Sequence, residues 1–234
     1  LNMVLLQKEI LVSKEGRIEL TKVQADSITT AVAGASYGLY TDAACTIPYI
    51  REGQEAVQVT GADGKIEWIL NKIPKYYMTM DLYVKETKAA TTYDLDPKVY
   101  KISLTPDNYG NTIVSSGAGK DYVVDNKMTE GKLTLIKQDG DNRDILVAGA
   151  SYGLYTDAAC TKPYTYGNQA AVQVTNSKGQ IVWKLNKVIK SQMTQTLYVK
   201  ETKAASNYEL DTKVYTVELT PANYINAYVS SGAG

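Results

Sequence analysis

The stretch Leu82-Tyr-Val-Lys-Glu-Thr-Lys-Ala-Ala90 occurs twice in the chain, the same letters returning at Leu197 to Ala205. In a β-strand successive side chains point to opposite faces. Leu82, Val84 and Glu86 then share one face, and Tyr83, Lys85 and Thr87 share the other. The apolar face therefore carries a glutamate, Glu86 in the first copy and Glu201 in the second. An ionised carboxylate left alone in a core is very costly, so a buried glutamate needs a specific partner or stays neutral.

Around this stretch the whole sequence repeats. A shift of 115 residues carries Leu82 onto Leu197 and aligns Gly16–Gly119 with Gly131–Gly234 without a gap. Ala33-Gly-Ala-Ser-Tyr-Gly-Leu-Tyr-Thr-Asp-Ala-Ala-Cys-Thr46 returns at Ala148 to Thr161, and Trp68 matches Trp183. The period is too long for a solenoid unit and fits two tandem small domains. Within each copy the pattern is β. Residues 16–22, 37–40, 56–60, 65–70, 82–87 and 99–105 read as strands, punctuated by Asp63-Gly64, Ser177-Lys-Gly179 and Thr105-Pro-Asp107. Helical periodicity is weak, with a short turn expected at residues 71–75 and 186–190. The sequence therefore predicts an all-β chain of two antiparallel β-sandwiches in series. The expected domains are 16–130, closed by a strand at 120–127, and 131–234, which lacks a closing strand of its own. Residues 1–15 are expected to be an N-terminal strand that completes a domain outside this copy.

Composition removes most enzyme chemistry. The 234 residues hold no histidine and two cysteines, and 25 basic residues balance 25 acidic ones. The usual general base, the commonest metal ligand and any zinc cluster are thus absent, and there is no basic footprint for nucleic acid. No cofactor and no metal are expected. No run approaches the roughly 18 apolar residues of a spanning helix, so membrane insertion is not expected. The N-terminus lacks the basic n-region and cleavage site of an intact signal peptide. Phenylalanine is absent against 19 tyrosines, and tyrosine can take its packing role where the hydroxyl finds a partner.

The partners of the glutamate come from strand faces. Ile18, Leu20 and Lys22 share one face of the first strand, as do Leu133, Leu135 and Lys137 in the second copy. On the closing strand Tyr122, Val124 and Asn126 oppose Asp121, Val123 and Asp125. The first row is the more apolar, which makes Asn126 the inward candidate and leaves Asp125 as the alternative. Lysine, glutamate and asparagine meeting in a dry core permit one reaction. Desolvation favours the neutral amine and the neutral carboxyl. The amine attacks the amide carbon, the glutamate moves protons, ammonia leaves and an amide remains between two side chains. By analogy with disulfides, closing a loop of about a hundred residues adds on the order of 4–5 kcal/mol.

Four stretches together resemble Cna-B-type domains, the prealbumin-like modules of Gram-positive surface adhesins and pilins. They are Gly34-Ala-Ser-Tyr-Gly-Leu-Tyr40, Tyr83-Val-Lys-Glu-Thr-Lys-Ala89, Tyr93-Asp-Leu-Asp96 and Leu20-Thr-Lys22. Tyr-Val-Lys-Glu-Thr looks like that family's E-box, and Asn126-Lys127 like its closing-strand asparagine. The resemblance covers both repeats and implies a spontaneous isopeptide bond joining Lys22 to Asn126, with Glu86 catalysing. In the second repeat Lys137 and Glu201 match, and no asparagine follows Gly234. Tyr37 and Tyr152 stand where the family more often has phenylalanine, a departure expected to touch packing rather than chemistry.

The resemblance implies a structural subunit of an extracellular or cell-surface stalk, pilus or other filament. The chain is expected to act as no enzyme beyond single-turnover self-crosslinking. Its expected partners are copies of itself or flanking tandem domains. A ligand-binding adhesin module on the bacterial surface is the alternative. No Leu-Pro-x-Thr-Gly sorting motif is present. The ends allow two readings: a piece of a longer tandem array, or a polymer subunit whose N-terminal strand completes a neighbour's second domain. In the latter, Asn2 of a neighbour, in register with Val4 and Leu6, is the electrophile for Lys137. Cys45 and Cys160, at matching repeat positions, are expected as small hydrophobes or semi-exposed thiols.

Overall fold

The computed structural model describes residues 12–116 and 122–231. The chain divides into two units, the first ending at Lys127 and the second beginning at Met128. In the first unit the strands are β1 (Ser13–Gln24), β2 (Ser27–Ala31), β3 (Ser36–Tyr40), β4 (Val57–Val59), β5 (Lys65–Pro74), β6 (Met80–Lys88), β7 (Val99–Leu104), β8 (Thr112–Val114) and β9 (Val123–Asp125). In the second they are β10 (Met128–Lys137), β11 (Ser151–Tyr155), β12 (Val172–Val174), β13 (Gln180–Ile189), β14 (Gln195–Lys203), β15 (Val214–Leu219) and β16 (Ala227–Ser231).

Each unit is a sandwich of two sheets. In the first, β4-β3-β6-β7 form one antiparallel sheet. β1 centres the other, antiparallel to β2 and β5 and parallel to both β8 and β9. The second unit repeats the four-stranded sheet as β12-β11-β14-β15 and the other as β13-β10-β16. The alternating strands supply the core between the sheets. Ile18, Leu20, Ile66, Trp68 and Leu70 come from one sheet and Tyr37, Leu39, Leu82, Val84 and Ile102 from the other, all buried. Among the described residues no helix is long and apolar enough to cross a membrane.

Three boundaries differ from expectation. β1 begins at Ser13, not Gly16, because Ser13 and Lys14 pair with Pro74 and Ile73. Residues 13–15 therefore belong to the first unit, whereas the rest of the expected N-terminal strand, residues 1–11, lies outside the described residues. The same pairing keeps residues 71–74 in strand β5, and the expected turn shrinks to a 3₁₀ turn at Lys75–Tyr77, with its counterpart at Lys190–Gln192. Likewise Met128 and Thr129, expected as the end of the first domain after its closing strand, pair with Ile189 and Val188 of β13 in the second unit.

One turn in each unit sets the height of the site lysine. Gly64 has φ +73° and Gly179 φ +64°, values that L side chains rarely adopt. Their carbonyls accept the backbone N–H of Lys22 at 2.7 Å and of Lys137 at 2.8 Å. A Cβ at Gly179 would stand 2.7 Å from the Lys137 carbonyl oxygen, so the turn and the lysine fit only with glycine.

Trp183 is fully buried in the second unit, and its indole N–H donates to the Ala171 carbonyl at 3.0 Å. Trp183→Ala is expected to cost about 3–5 kcal/mol through the cavity it leaves, read as a lowered urea midpoint for the second unit.

Candidate functional site: a buried lysine–carboxylate cluster

The site of the first unit lies where β1, β3, β6 and β9 converge on the end of the core. On β1, Ile18, Leu20 and Lys22 point inward, and Lys22 is 0% exposed. On β6, Leu82, Val84 and Glu86 point inward, and Glu86 is 1% exposed. The Lys22 Nζ lies 3.8 Å from Glu86 Oε1. It donates to the Tyr37 hydroxyl at 2.5 Å and sits 5.2 Å from that ring's centroid. The tyrosine hydroxyl thus makes a polar contact with the buried lysine that phenylalanine could not make.

The closing strand corrects one site residue. Asn126 is exposed, and its backbone carbonyl accepts from Asp94 N at 2.9 Å. Asp125 instead is 2% exposed and forms the ion pair with Lys22 through Oδ1. The reason is register. β9 runs parallel to β1 with Lys22 opposite Val123 and Gln24 opposite Asp125, which turns Val123 and Asp125 inward. Three residues carry too little alternation to fix a face by apolarity, and the attraction of Lys22 for a carboxylate outweighs the apolar choice.

A second layer holds the cluster. Asp96 N donates to Glu86 Oε2 at 2.6 Å, and the Tyr100 hydroxyl donates to Asp96 Oδ2 at 2.5 Å. Glu86 Oε1 and Asp125 Oδ2 are buried with no hydrogen-bond donor among the described residues. Burial pushes the Glu86 carboxyl up to about 7, against a pull downward from the Asp96 amide and Lys22. Burial likewise raises Asp125 above the usual carboxylate range. A proton held by the two carboxyls would supply the donor that these oxygens lack. Tyr37 is pushed well above its ordinary value, first by burial and then by Glu86 and Asp125. Tyr37, Asp96 and Tyr100 were not read from the sequence as parts of the site. The repetition of Tyr37 and Asp96 at Tyr152 and Asp211 was the available signal.

In the second unit the structure brings Lys137 and Glu201 together, Nζ to Oε1 3.7 Å apart, with exposures of 5% and 1%. Asp211 N donates to Glu201 Oε2 at 2.5 Å, and the Tyr215 hydroxyl to Asp211 Oδ2 at 2.5 Å. The position facing the lysine differs. Ser231, fully buried, pairs with Lys137 on the neighbouring strand, and its Oγ shares a hydrogen bond with the Tyr152 hydroxyl at 2.9 Å. Asn2 lies outside the described residues. No group of residues that could hold a metal ion is found among the described residues.

This arrangement belongs to a known class of all-β module. Residues 131–232 match the family model described as a SpaA prealbumin-like fold domain. The second unit is a SpaA/Cna-B-type prealbumin-like domain, and the first repeats its sequence and strand order. No curated protein matches the chain in sequence. Among solved structures, the chain is similar to the Bacillus anthracis TIE protein at 20% identity and TM-score 0.39, covering 92% of this chain and 33% of that one. It is similar to a Streptococcal ancillary pilin at 18% identity and TM-score 0.41, covering 92% and 61%. It is also similar to the shaft pilin SpaA from Lactobacillus rhamnosus GG at 15% identity and TM-score 0.40, covering 93% and 96%. The chain thus spans a third and three-fifths of the first two.

The raised Glu86 pKa has a definite sign. A carboxyl that titrates near 7 when folded and near 4.5 when unfolded holds a proton in the native state through that window. Its contribution favours folding fully below about 4.5 and is lost as pH rises through about 7. The urea midpoint of the first unit should therefore fall between pH 4.5 and 7, and Glu86→Gln should flatten that slope. Desolvation, the leading cause, acts whatever the state of Lys22.

Proposed function

We propose that the chain is a structural subunit of an extracellular, cell-surface stalk or pilus, whose first unit is stiffened by a self-formed isopeptide bond between Lys22 and Asp125. The observation that carries this reading is the Lys22 Nζ held against the Asp125 carboxyl inside a dry core, with Glu86 beside both. The reaction balances without a co-reactant. The amine nitrogen attacks the Asp125 carboxyl carbon, a C–N bond forms and a C–O bond breaks. Lys22 first passes a proton to the carboxylate, and the leaving oxygen departs as water with that proton and a second one from the attacking nitrogen. Glu86, carrying a proton at neutral pH for much of the time, donates to the carboxyl oxygen and takes a proton back from the nitrogen. A small cavity of about 120 Å³, lined by residues 94–97 and 124–126, lies beside Asp125 and offers the water an exit.

The energetics favour the bond. A buried lysine–carboxylate pair returns little against its desolvation cost. The amide replaces both charges with neutral groups and closes a loop between the first and last strands of the unit. Such a closure is worth on the order of 4–5 kcal/mol by the loop-entropy argument. Turnover is not part of this function, since the product stays within the fold. Assembly into longer fibres takes copies of the chain or flanking domains as partners.

Intact-protein mass spectrometry tests the reading. The wild-type chain should be lighter than its sequence by one water, in contrast to the ammonia that an asparagine partner would release. Lys22→Ala, Asp125→Ala and Glu86→Ala should each restore the full mass, and Lys137→Ala should leave the loss in place. A wild-type mass equal to the unmodified sequence would end the proposal. The crosslinked first unit should also resist urea more strongly than Glu86→Ala, by an amount on the order of that loop-closure term.

A further inference from the structure

The 3₁₀ turn between β5 and β6 carries different side chains from its counterpart in the second unit, on the same backbone. It reads Lys75-Tyr76-Tyr77 in the first unit and Lys190-Ser191-Gln192 in the second. Both turns close alike, Met78 N donating to Lys75 O at 3.2 Å and Met193 N to Lys190 O at 3.2 Å. Both are entered from an extended residue, Pro74 or Ile189, and both are anchored by the buried methionine that follows. Serine and glutamine serve the same turn, so the fold makes no demand for tyrosine there.

Tyr76 and Tyr77 nevertheless stand 73% and 61% exposed. Two adjoining rings left in water gain little from folding, and an exposed apolar patch of this kind marks a surface that something covers. The rings meet edge to face, with centroids 5.1 Å apart and planes at 89°. That favoured aromatic geometry leaves a right-angled corner between one face of each ring. Its support is rigid, since Pro74 pairs with Ser13 on β1 and Met78 lies in the core. A preformed corner loses little freedom when a ligand enters it.

The charges around the corner have one sign. Residues 71–79 hold Lys72 and Lys75 and no carboxylate. Lys14, on β1 opposite Ile73, adds a third cation. All three lysines are exposed, and none forms an ion pair among the described residues. The neighbouring carboxylate on β1, Glu15, is engaged by Arg51 at 2.8 Å. A perpendicular ring pair suits a quaternary ammonium, but three uncompensated lysines repel a cation. A stable protein interface needs about 1,000 Å², far more than two side chains on a three-residue turn provide. A sugar ring fits the corner. Its electropositive C–H groups face the negative faces of the tyrosine rings, and a carboxylate on it accepts from the ammonium groups.

We propose that Tyr76, Tyr77, Lys72 and Lys75 form a binding site for an acidic polysaccharide whose sugars bear carboxylates. One pyranose stacks in the ring corner, and carboxylates along the polymer pair with the lysines. The second unit keeps Lys187 and Lys190 but has Ser191 and Gln192 in place of the rings, so it lacks the site. The turn lies at the opposite end of β1 from Lys22, and the site does not depend on a crosslink there.

Isothermal titration calorimetry of the full chain tests the site, with a tetramer of galacturonic acid as the probe and a glucose tetramer as the neutral comparison. The expected result is one galacturonate site per chain, with the glucose tetramer about tenfold weaker. Galacturonate binding should weaken as salt rises. Tyr76→Ser with Tyr77→Gln installs the second unit's own residues and should weaken binding by about tenfold or more. The reverse graft, Ser191→Tyr with Gln192→Tyr, should raise the stoichiometry to two. Lys72→Gln with Lys75→Gln should remove the preference for the acidic sugar. Absence of galacturonate binding overturns the site, as does binding that survives Tyr76→Ser with Tyr77→Gln. A tetramer of glutamic acid that binds as tightly as the sugar also overturns it, because the lysines alone would then suffice.

Discussion

Burial of Lys22 constrains everything around it. A lysine with no exposure cannot snorkel to water, and the interior returns little for an ammonium unless a carboxylate sits against it. The fold provides two carboxyls, Glu86 from the opposite sheet and Asp125 from a strand added parallel to the first. Each resists ionisation because of the same burial that makes it useful. The cluster therefore has more acidic groups than one cation can satisfy, and two of their oxygens are left without donors. The strain in that arrangement is electrostatic rather than geometric. An amide bond is the one change that removes two of the three titrating groups at once.

The two units place the same lysine–glutamate pair beside different neighbours. Their sheets, tyrosines, glutamates and supporting aspartates superimpose position by position through the repeat. Beside the lysine they differ, with β9 and Asp125 in one and the end of β16 with Ser231 in the other, and β2 has no counterpart strand among the described residues of the second unit. In both units Tyr–Asp–backbone contacts hold the buried glutamate by its Oε2 atom and leave Oε1 facing the lysine. The glutamate is thus held in one orientation toward the lysine in both units.

The inward face was legible in the sequence for the long alternating strands and not for the short closing strand. Leu82, Val84 and Glu86 lie in a nine-residue strand, and Ile18, Leu20 and Lys22 in a twelve-residue one, so their inward rows stand out. β9 has three residues. There, apolarity favoured the Val124–Asn126 row, while the structure follows the charge of Lys22 and turns Asp125 in. β2, β8 and β16 gave no separate signal. The role of the Tyr37 hydroxyl was hidden because tyrosine in a core pattern looks like a substitute for phenylalanine. Its contact with Lys22 depends on two strands far apart in sequence meeting at one height, a height fixed in part by the turn at Gly64. The 115-residue repeat, by contrast, needed no structure to be seen, and it set the architecture.

Only Asn126 and Lys127 separate Asp125 on β9 from Met128 at the head of β10. A crosslink at Asp125 would therefore change the shortest covalent route through the chain. Tension entering along β1 would pass from Lys22 across the amide to Asp125 and leave two residues later into the second unit. Residues 23–124, which hold most of the first sandwich, would lie off that route as a closed side loop. Their sheets could fluctuate or unravel without lengthening the tether.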